Sequence, residues 1–388
     1  MDEYTVPTSA QPLLFSIRYI FFPALVLSCL LAFKSSSWIR LLFFAWYTAH
    51  LLQGMSVRTG NSWSDYSNGS TLGGELMKTL SLLFLDNPAQ DWCHRSDENR
   101  KIANRPWWQR IYWCLCAAYT MRGVGWNFQV PGVPSPSRMN RYMFLACAVL
   151  RVVVSYLLLD AAQCLMQVTP FFNDPEPDAS MRSYSYRVQV FYTVVCFSVP
   201  YGSIRFYYYL GAFFAVLTGY SSQEDWPSVF GSWADACSVR NIWGKTWHQM
   251  FRRQYSSIGK AVAKRLGAPP GSISSFIVQL FAAFLVSGIM HLFGDYTIGL
   301  KHIGVTLPFF VLQPFAILFE EFFFFGLVCL KVDKHIFSLP TPIKRCFGYL
   351  WTLVWFTYSS SWYIDPIVQA KFGRNAILPF SVIRFFQL

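Results

Sequence analysis

Seven apolar runs, at about 13–33, 38–55, 143–167, 187–219, 274–294, 303–330 and 346–363, constrain this chain more than any single residue does. A helical crossing of a bilayer takes roughly 20 apolar residues, and inside the hydrocarbon every backbone N–H and C=O must find its partner within the chain. No ten-residue alternating strand pattern occurs in the sequence, so the runs predict an all-α, polytopic membrane bundle of about 7–9 transmembrane helices. A shorter run, 111–121, fits a re-entrant or packed segment. The wider region 56–142 carries Trp, Arg and Gly-containing turns and reads as interfacial or re-entrant. Composition agrees: 54% of residues are apolar, 13% charged and 19% aromatic, outside the usual balance of a soluble domain. We expect one integral membrane domain over 1–388, multi-pass and resident in the endoplasmic reticulum. The first run is kept as a helix because no small-residue cleavage site precedes Lys34.

The net charge of +12 is concentrated in loops. Residues 94–110 hold five Lys or Arg and 240–265 hold seven, so the positive-inside rule assigns both to the cytoplasmic side. The connection 172–180 is acidic and has no Lys or Arg, as a lumenal loop often does. Residues 187–219 must then cross an odd number of times, and Pro200, Gly202 and Arg205 near their middle predict one long broken helix rather than two half-length ones. Basic charge of this kind addresses lipid headgroups and anionic co-substrates; no nucleic-acid partner is expected, and the sequence leaves oligomeric state open. Ten cysteines are scattered, most within apolar runs, which argues for packing residues and against a disulfide framework or a metal site. The Gly73-Gly74 pair has no nucleotide-loop context, and the Asn68-Gly-Ser70 sequon falls in a loop read as cytoplasmic.

His291 is the leading candidate for chemistry. It closes the run Phe281-Ala-Ala-Phe-Leu-Val-Ser-Gly-Ile-Met-His291, and an ionisable side chain at membrane depth is costly enough to be a functional-site hypothesis by default. If the helix continues one turn, Asp295 shares its face and can orient the imidazole, while Gly288 and Gly294 leave room for a substrate. His291 equally fits a helix-end residue bonded to a neighbour. Upstream, Arg240-Asn-Ile-Trp243-Gly-Lys245-Thr-Trp247-His248-Gln-Met-Phe-Arg252-Arg253 combines basic, aromatic and polar side chains in fourteen residues. Arg240, Lys245, Arg252 and Arg253 suit the phosphates of a nucleotide-like acyl carrier, and Trp247 suits stacking or an acyl entry. Trp243, Trp247 and Phe251 form a stripe at helical spacing, so the same block also reads as an interfacial amphipathic helix. Glu320 and Glu321 fit a membrane carboxylate pair, or residues that cap or pair with Arg or Lys of another helix.

Three segments together, Arg122-Gly-Val-Gly-Trp126-Asn, Trp243-Gly-Lys-Thr-Trp247-His248-Gln-Met-Phe-Arg252 and Ser287-Gly-Ile-Met-His291, resemble the wax synthase-like branch of the membrane-bound O-acyltransferases, and within it fungal terpenoid and meroterpenoid O-acetyltransferases. The resemblance spans roughly 120–295, with 240–295 as the proposed catalytic core. It implies acyl transfer from an acyl-coenzyme A co-substrate, acetyl-coenzyme A first, to a hydroxyl of a hydrophobic alcohol in secondary metabolism. His291 would be the general base, His248 the upstream polar position, and no bound metal or redox cofactor would be needed. A long-chain wax ester synthase is the alternative within the class; a transporter or non-catalytic membrane scaffold is the alternative outside it.

Overall fold

The computed structural model describes residues 15–33, 35–97, 102–330 and 340–386. The start of the first apolar run, 13–14, and residues 98–101 of the basic loop lie outside the described residues. Among the described residues the chain is helical and has no strand; one isolated bridge joins His94 and Trp126. The longer helices are α1 (Phe22–Ala32), α2 (Ser37–Gly54), α3 (Ser62–Leu80), α4 (Trp107–Tyr119), α5 (Arg141–Val168), α6 (Tyr186–Leu217), α7 (Arg252–Arg265), α8 (Ile273–Thr297), α9 (Leu307–Cys329), α10 (Thr341–Ser359) and α11 (Ser361–Gln369). Three of them, α5, α8 and α9, are long and apolar enough to cross a membrane, and Ile17–Ala32 is a shorter apolar stretch.

The helices begin where local chemistry directs. Ser36, Asn61, Asn140 and Ser272 each accept a backbone N–H from the first turn of α2, α3, α5 and α8, which satisfies a donor that would otherwise be orphaned. The 32-residue α6 runs through Pro200 as one helix, without the break expected near its middle. Pro200 has no N–H to give, so the helix runs on without one of its i−4 bonds. Two residues on, Gly202 sits 2.9 Å, at Cβ reach, from Leu159 of α5, so the two helices meet closely at the point where a break was expected.

By packing, the chain divides into two compact units. The first comprises residues up to Val130 together with Met250–Phe310, and the second comprises Pro131–Gln249 with Val311 onward. In the first unit a core of Tyr19, Leu27, Phe43, Tyr47, Leu51, Leu72, Leu82 and Trp113 joins α1 to α4, and α8 packs on α3 and α7. In the second unit α5 and α6 form the main antiparallel pair, with Phe144, Ala148, Ala212 and Val216 buried between them.

Candidate functional site

His291 lies near the end of α8, and its environment follows from a glycine seam. On α3, Gly69 faces the Phe293 carbonyl and Thr297, and Gly73 faces the Met290 carbonyl 2.9 Å from where a Cβ would stand. From the other side Gly294 faces the ring of Tyr66 at 2.9 Å. This small-xxx-small spacing lets the two helix backbones approach closely, as it does between helices in membranes. The seam is tied at one end by the Thr297 hydroxyl, which donates to the Asp65 carbonyl at 2.8 Å. Gly288 and Gly294 were expected to admit a substrate; Leu307 and Phe310 fill the space beside Gly288, and Tyr66 and Ser70 fill that beside Gly294.

The seam brings Tyr66, 5% exposed, against His291: its hydroxyl lies 3.1 Å from Nδ1, with the rings 6.0 Å apart. Phe310 stacks on the imidazole at 4.4 Å and an interplanar angle of 14°. Asp295 is fully buried one turn further on, where its carboxylate accepts the Thr306 hydroxyl at 2.9 Å and the Thr306 N–H at 3.2 Å. Asp295 therefore fastens the turn that follows α8, and the residue beside Nδ1 is Tyr66. Tyr66 was not singled out in the sequence, being 225 positions from its partner. The Gly69-x-x-x-Gly73 spacing was the available signal.

A second feature of this unit is a buried polar network. Arg253, 6% exposed, pairs through Nη1 with Asp86 at 2.8 Å, and its guanidinium lies over Trp92 at 4.7 Å and Phe128 at 5.6 Å. Asp86 also accepts the hydroxyls of Ser81 at 2.6 Å and Ser257 at 2.8 Å. Burial presses Arg253 below the usual guanidinium range, and Asp86 opposes that. Beside it Lys78 pairs with Glu75 at 2.7 Å, while the Tyr119 hydroxyl donates to the other Glu75 oxygen at 3.1 Å. Burial lowers the Lys78 pKa, and the Glu75 carboxylate holds it back up. Arg252, at the start of α7, is half-buried, and burial lowers its pKa as well. The loop Arg122-Gly-Val-Gly-Trp126 belongs here: Gly123 and Gly125 take φ of +63° and +78°, which only glycine adopts freely, and the turn delivers Trp126 to Trp113 at 4.9 Å.

The Trp-His block lies in the second unit and is not one amphipathic helix. Val239–Asn241 leads into a π-helical turn, Ile242–Thr246, and Trp247 then leaves the helix with ψ of 152°. The expected stripe of Trp243, Trp247 and Phe251 is thereby interrupted, because the Gly231 N–H bonds the Thr246 carbonyl at 2.9 Å and the Gln249 amide bonds the Trp247 carbonyl at 2.6 Å. Helix α9 supplies the anchors. Glu320 accepts the N–H of Val239 at 2.6 Å, that of Arg240 at 3.0 Å and the Trp351 indole at 2.6 Å. Gln313 accepts the indoles of Trp243 at 3.1 Å and Trp355 at 3.0 Å. The Arg240 side chain pairs with Glu321, so both glutamates act as cap or ion-pair partner. His248 is half-buried, 6.1 Å from the Phe230 ring and 5.5 Å from that of Trp247, while Lys245 is exposed. The eight residues singled out thus fall in two groups: His291, Asp295, Arg252 and Arg253 in the first unit, and His248, Trp247, Lys245 and Arg240 in the second.

Residues 226–312 match the Membrane bound O-acyl transferase family, a stretch that holds both His248 and His291. The acetyltransferase eriL of Hericium erinaceus is 30% identical over 71% of each chain. The acetyltransferase ple2 of Rhodocybe pseudopiperita is 29% identical over 93% of each. The O-Mevalon transferase macI of Penicillium terrestre is 28% identical over 76% of this chain and 71% of its own. No solved structure matches.

Proposed function

This chain belongs to the membrane bound O-acyl transferase family, in the branch of the fungal acetyltransferases, and is an O-acyltransferase; from that premise we propose that it moves an acetyl group from acetyl-coenzyme A to a hydroxyl of a hydrophobic acceptor, such as a terpenoid or meroterpenoid alcohol. The whole chain is then one multi-pass domain of about 7–9 crossings in the endoplasmic reticulum membrane, with 240–295 as its catalytic core. Fungal relatives named as acetyltransferases support the acyl group, and the aromatic, apolar composition supports an acceptor that partitions into lipid.

The observation that carries the chemistry is His291, held between Tyr66 and Phe310 near the end of a membrane-length helix. In the proposed reaction the imidazole takes the proton of the acceptor hydroxyl as its oxygen attacks the thioester carbonyl. The carbonyl π pair moves onto oxygen to give a tetrahedral oxyanion, for which the proposed donor is His248 or a Trp or Asn side chain of its own segment. Collapse re-forms the carbonyl and breaks the C–S bond; the coenzyme A thiolate takes the proton back from the imidazolium, leaving ester, free thiol and neutral His291. Trp247 borders the donor, and Arg240, Lys245 and Arg252 attract its phosphates. Arg253, fixed to Asp86, contributes mainly by holding the start of α7 in place.

The test is acyl transfer by membranes containing this chain, with labelled acetyl-, butyryl- and palmitoyl-coenzyme A and a panel of terpenoid, sterol and fatty alcohols. Preference for acetyl and a polycyclic alcohol supports the proposal. Preference for palmitoyl and a fatty alcohol replaces it with wax ester synthesis, and full activity in a normally abundant His291→Ala variant removes the base.

A further inference from the structure

We infer that Tyr66 is the positioning residue that sets the tautomer of His291, so that Nδ1 carries the imidazole proton and Nε2 is the basic nitrogen. The inference rests on the reading of His291 as general base. A neutral imidazole has one protonated and one bare nitrogen, and the hydrogen bond at one of them decides which is which. Here the Tyr66 hydroxyl stands 3.1 Å from Nδ1. If Nδ1 were the base, its lone pair would face that phenol and not a substrate alcohol. For His291 to accept a proton from an acceptor, Nδ1–H must therefore donate to Tyr66 Oη, and Nε2 is the nitrogen that takes the proton. The hydroxyl keeps its own proton throughout, and once Nε2 has taken the substrate proton, Nδ1–H still donates to the same oxygen. No other proton has to move.

Three features make Tyr66 suited to this role. Tyr66 is 5% exposed and its ring lies against Gly294, which leaves the phenol little room to swing. Phe310, stacked at 4.4 Å and 14°, fixes the imidazole plane, so rotation about χ2 cannot exchange the two nitrogens cheaply. The carboxylate that sequence spacing offered for this task, Asp295, bonds Thr306. A phenol in place of a carboxylate has a chemical consequence: it orients the ring without adding a negative charge at membrane depth, where a second ionised group would be costly.

Because only six histidines are present, the tautomer can be read directly by 15N NMR of histidine-labelled protein in detergent, His291 being the resonance absent from the His291→Ala spectrum. The wild type is expected to show a protonated Nδ1 and an unprotonated Nε2, and Tyr66→Phe, which keeps the ring in the seam, is expected to lose that preference. In the transfer assay Tyr66→Phe should lower kcat by on the order of 10- to 100-fold, with KM within about twofold, as expected for a group that acts on the chemical step. A wild-type His291 protonated at Nε2, or a Tyr66→Phe enzyme with wild-type kcat, would overturn the inference. The spectrum needs no turnover, so it is judged apart from the base reading, which stands or falls on transfer by His291→Ala.

Discussion

His291 and the Trp-His block are held by opposite means. Around His291 the positioning is done by backbone proximity: Gly69, Gly73 and Gly294 remove side chains so that two helices touch, and Tyr66 and Phe310 close on the imidazole as a result. Around His248 the backbone is irregular, and the positioning is done by long polar side chains of α9, with Glu320 holding the start of the block and Gln313 its first indole. A helix seam has little freedom to adjust, because one added methyl group meets a carbonyl. A tethered turn can keep its path when one of several hydrogen bonds is lost. The first region should therefore fail abruptly under substitution and the second by degrees.

The largest separation is expected in turnover. His291→Ala should lower acyl transfer by about 10³- to 10⁴-fold, the upper part of the range for a lost general base, and His248→Ala by about 10²-fold, as for one lost oxyanion donor. Equal losses measured in membranes with matched protein content would erase the distinction between the two histidines. Next is stability. Asp86→Asn leaves Arg253 charged, buried and without its counter-charge, and should cost about 3–5 kcal/mol, read as a drop in thermal midpoint in detergent. A midpoint near that of the wild type would mean that the pair does not hold α7.

Smaller effects sharpen the contrast between seam and tether. Gly73→Val places carbon against the Met290 carbonyl, and overpacking of this kind costs about 1–3 kcal/mol. Because the helix carrying Tyr66 must move away from the helix carrying His291, transfer should fall with it by at least the loss expected for Tyr66→Phe. Glu320→Gln should cost a similar amount of stability, about 1–3 kcal/mol, since a carboxamide oxygen replaces a carboxylate that accepts three N–H groups. Its activity should fall only severalfold. If Glu320→Gln were as damaging to kcat as Gly73→Val, the tethered region would have to be counted as rigid.

The difference also explains what could be read from the sequence. The helical class, the membrane lengths of α5, α8 and α9, and the two histidine segments are local patterns, each carried by a run of neighbouring residues. Tyr66, Asp86 and Gln313 act on partners 225, 167 and 70 positions away, and nothing in their own neighbourhoods marks them. Asp295 failed as an orienter of His291 for a related reason. The i, i+4 spacing is necessary for contact on a helix face, but the turn that follows offers Thr306, and a buried carboxylate goes to the donors that satisfy it fully. Pro200 marked the middle of α6 correctly yet did not break it: the helix is continuous from Tyr186 to Leu217, and α5 meets it closely at Gly202.

The smallest expected effect concerns the cations, and it separates two uses of positive charge that sequence could not. Arg240 pairs with Glu321 at a side-chain exposure of 54%, whereas Arg253 pairs with Asp86 at 6%. An exposed pair is worth about 0–1 kcal/mol, so Arg240→Gln should leave the thermal midpoint nearly unchanged. If Arg240 attracts the coenzyme A phosphates, the same substitution should raise KM for the acyl donor severalfold, leave KM for the alcohol and kcat alone, and weaken the salt dependence of donor KM, since screening acts most strongly on exposed charge. Arg253→Gln should do the reverse, lowering the midpoint strongly and depressing kcat through the misplaced α7. Steady-state kinetics at two ionic strengths, beside thermal unfolding of the same preparations, distinguish the two arginines. A donor KM indifferent to Arg240 would shift phosphate attraction to Lys245 and Arg252 and leave Arg240 as a partner of Glu321 alone.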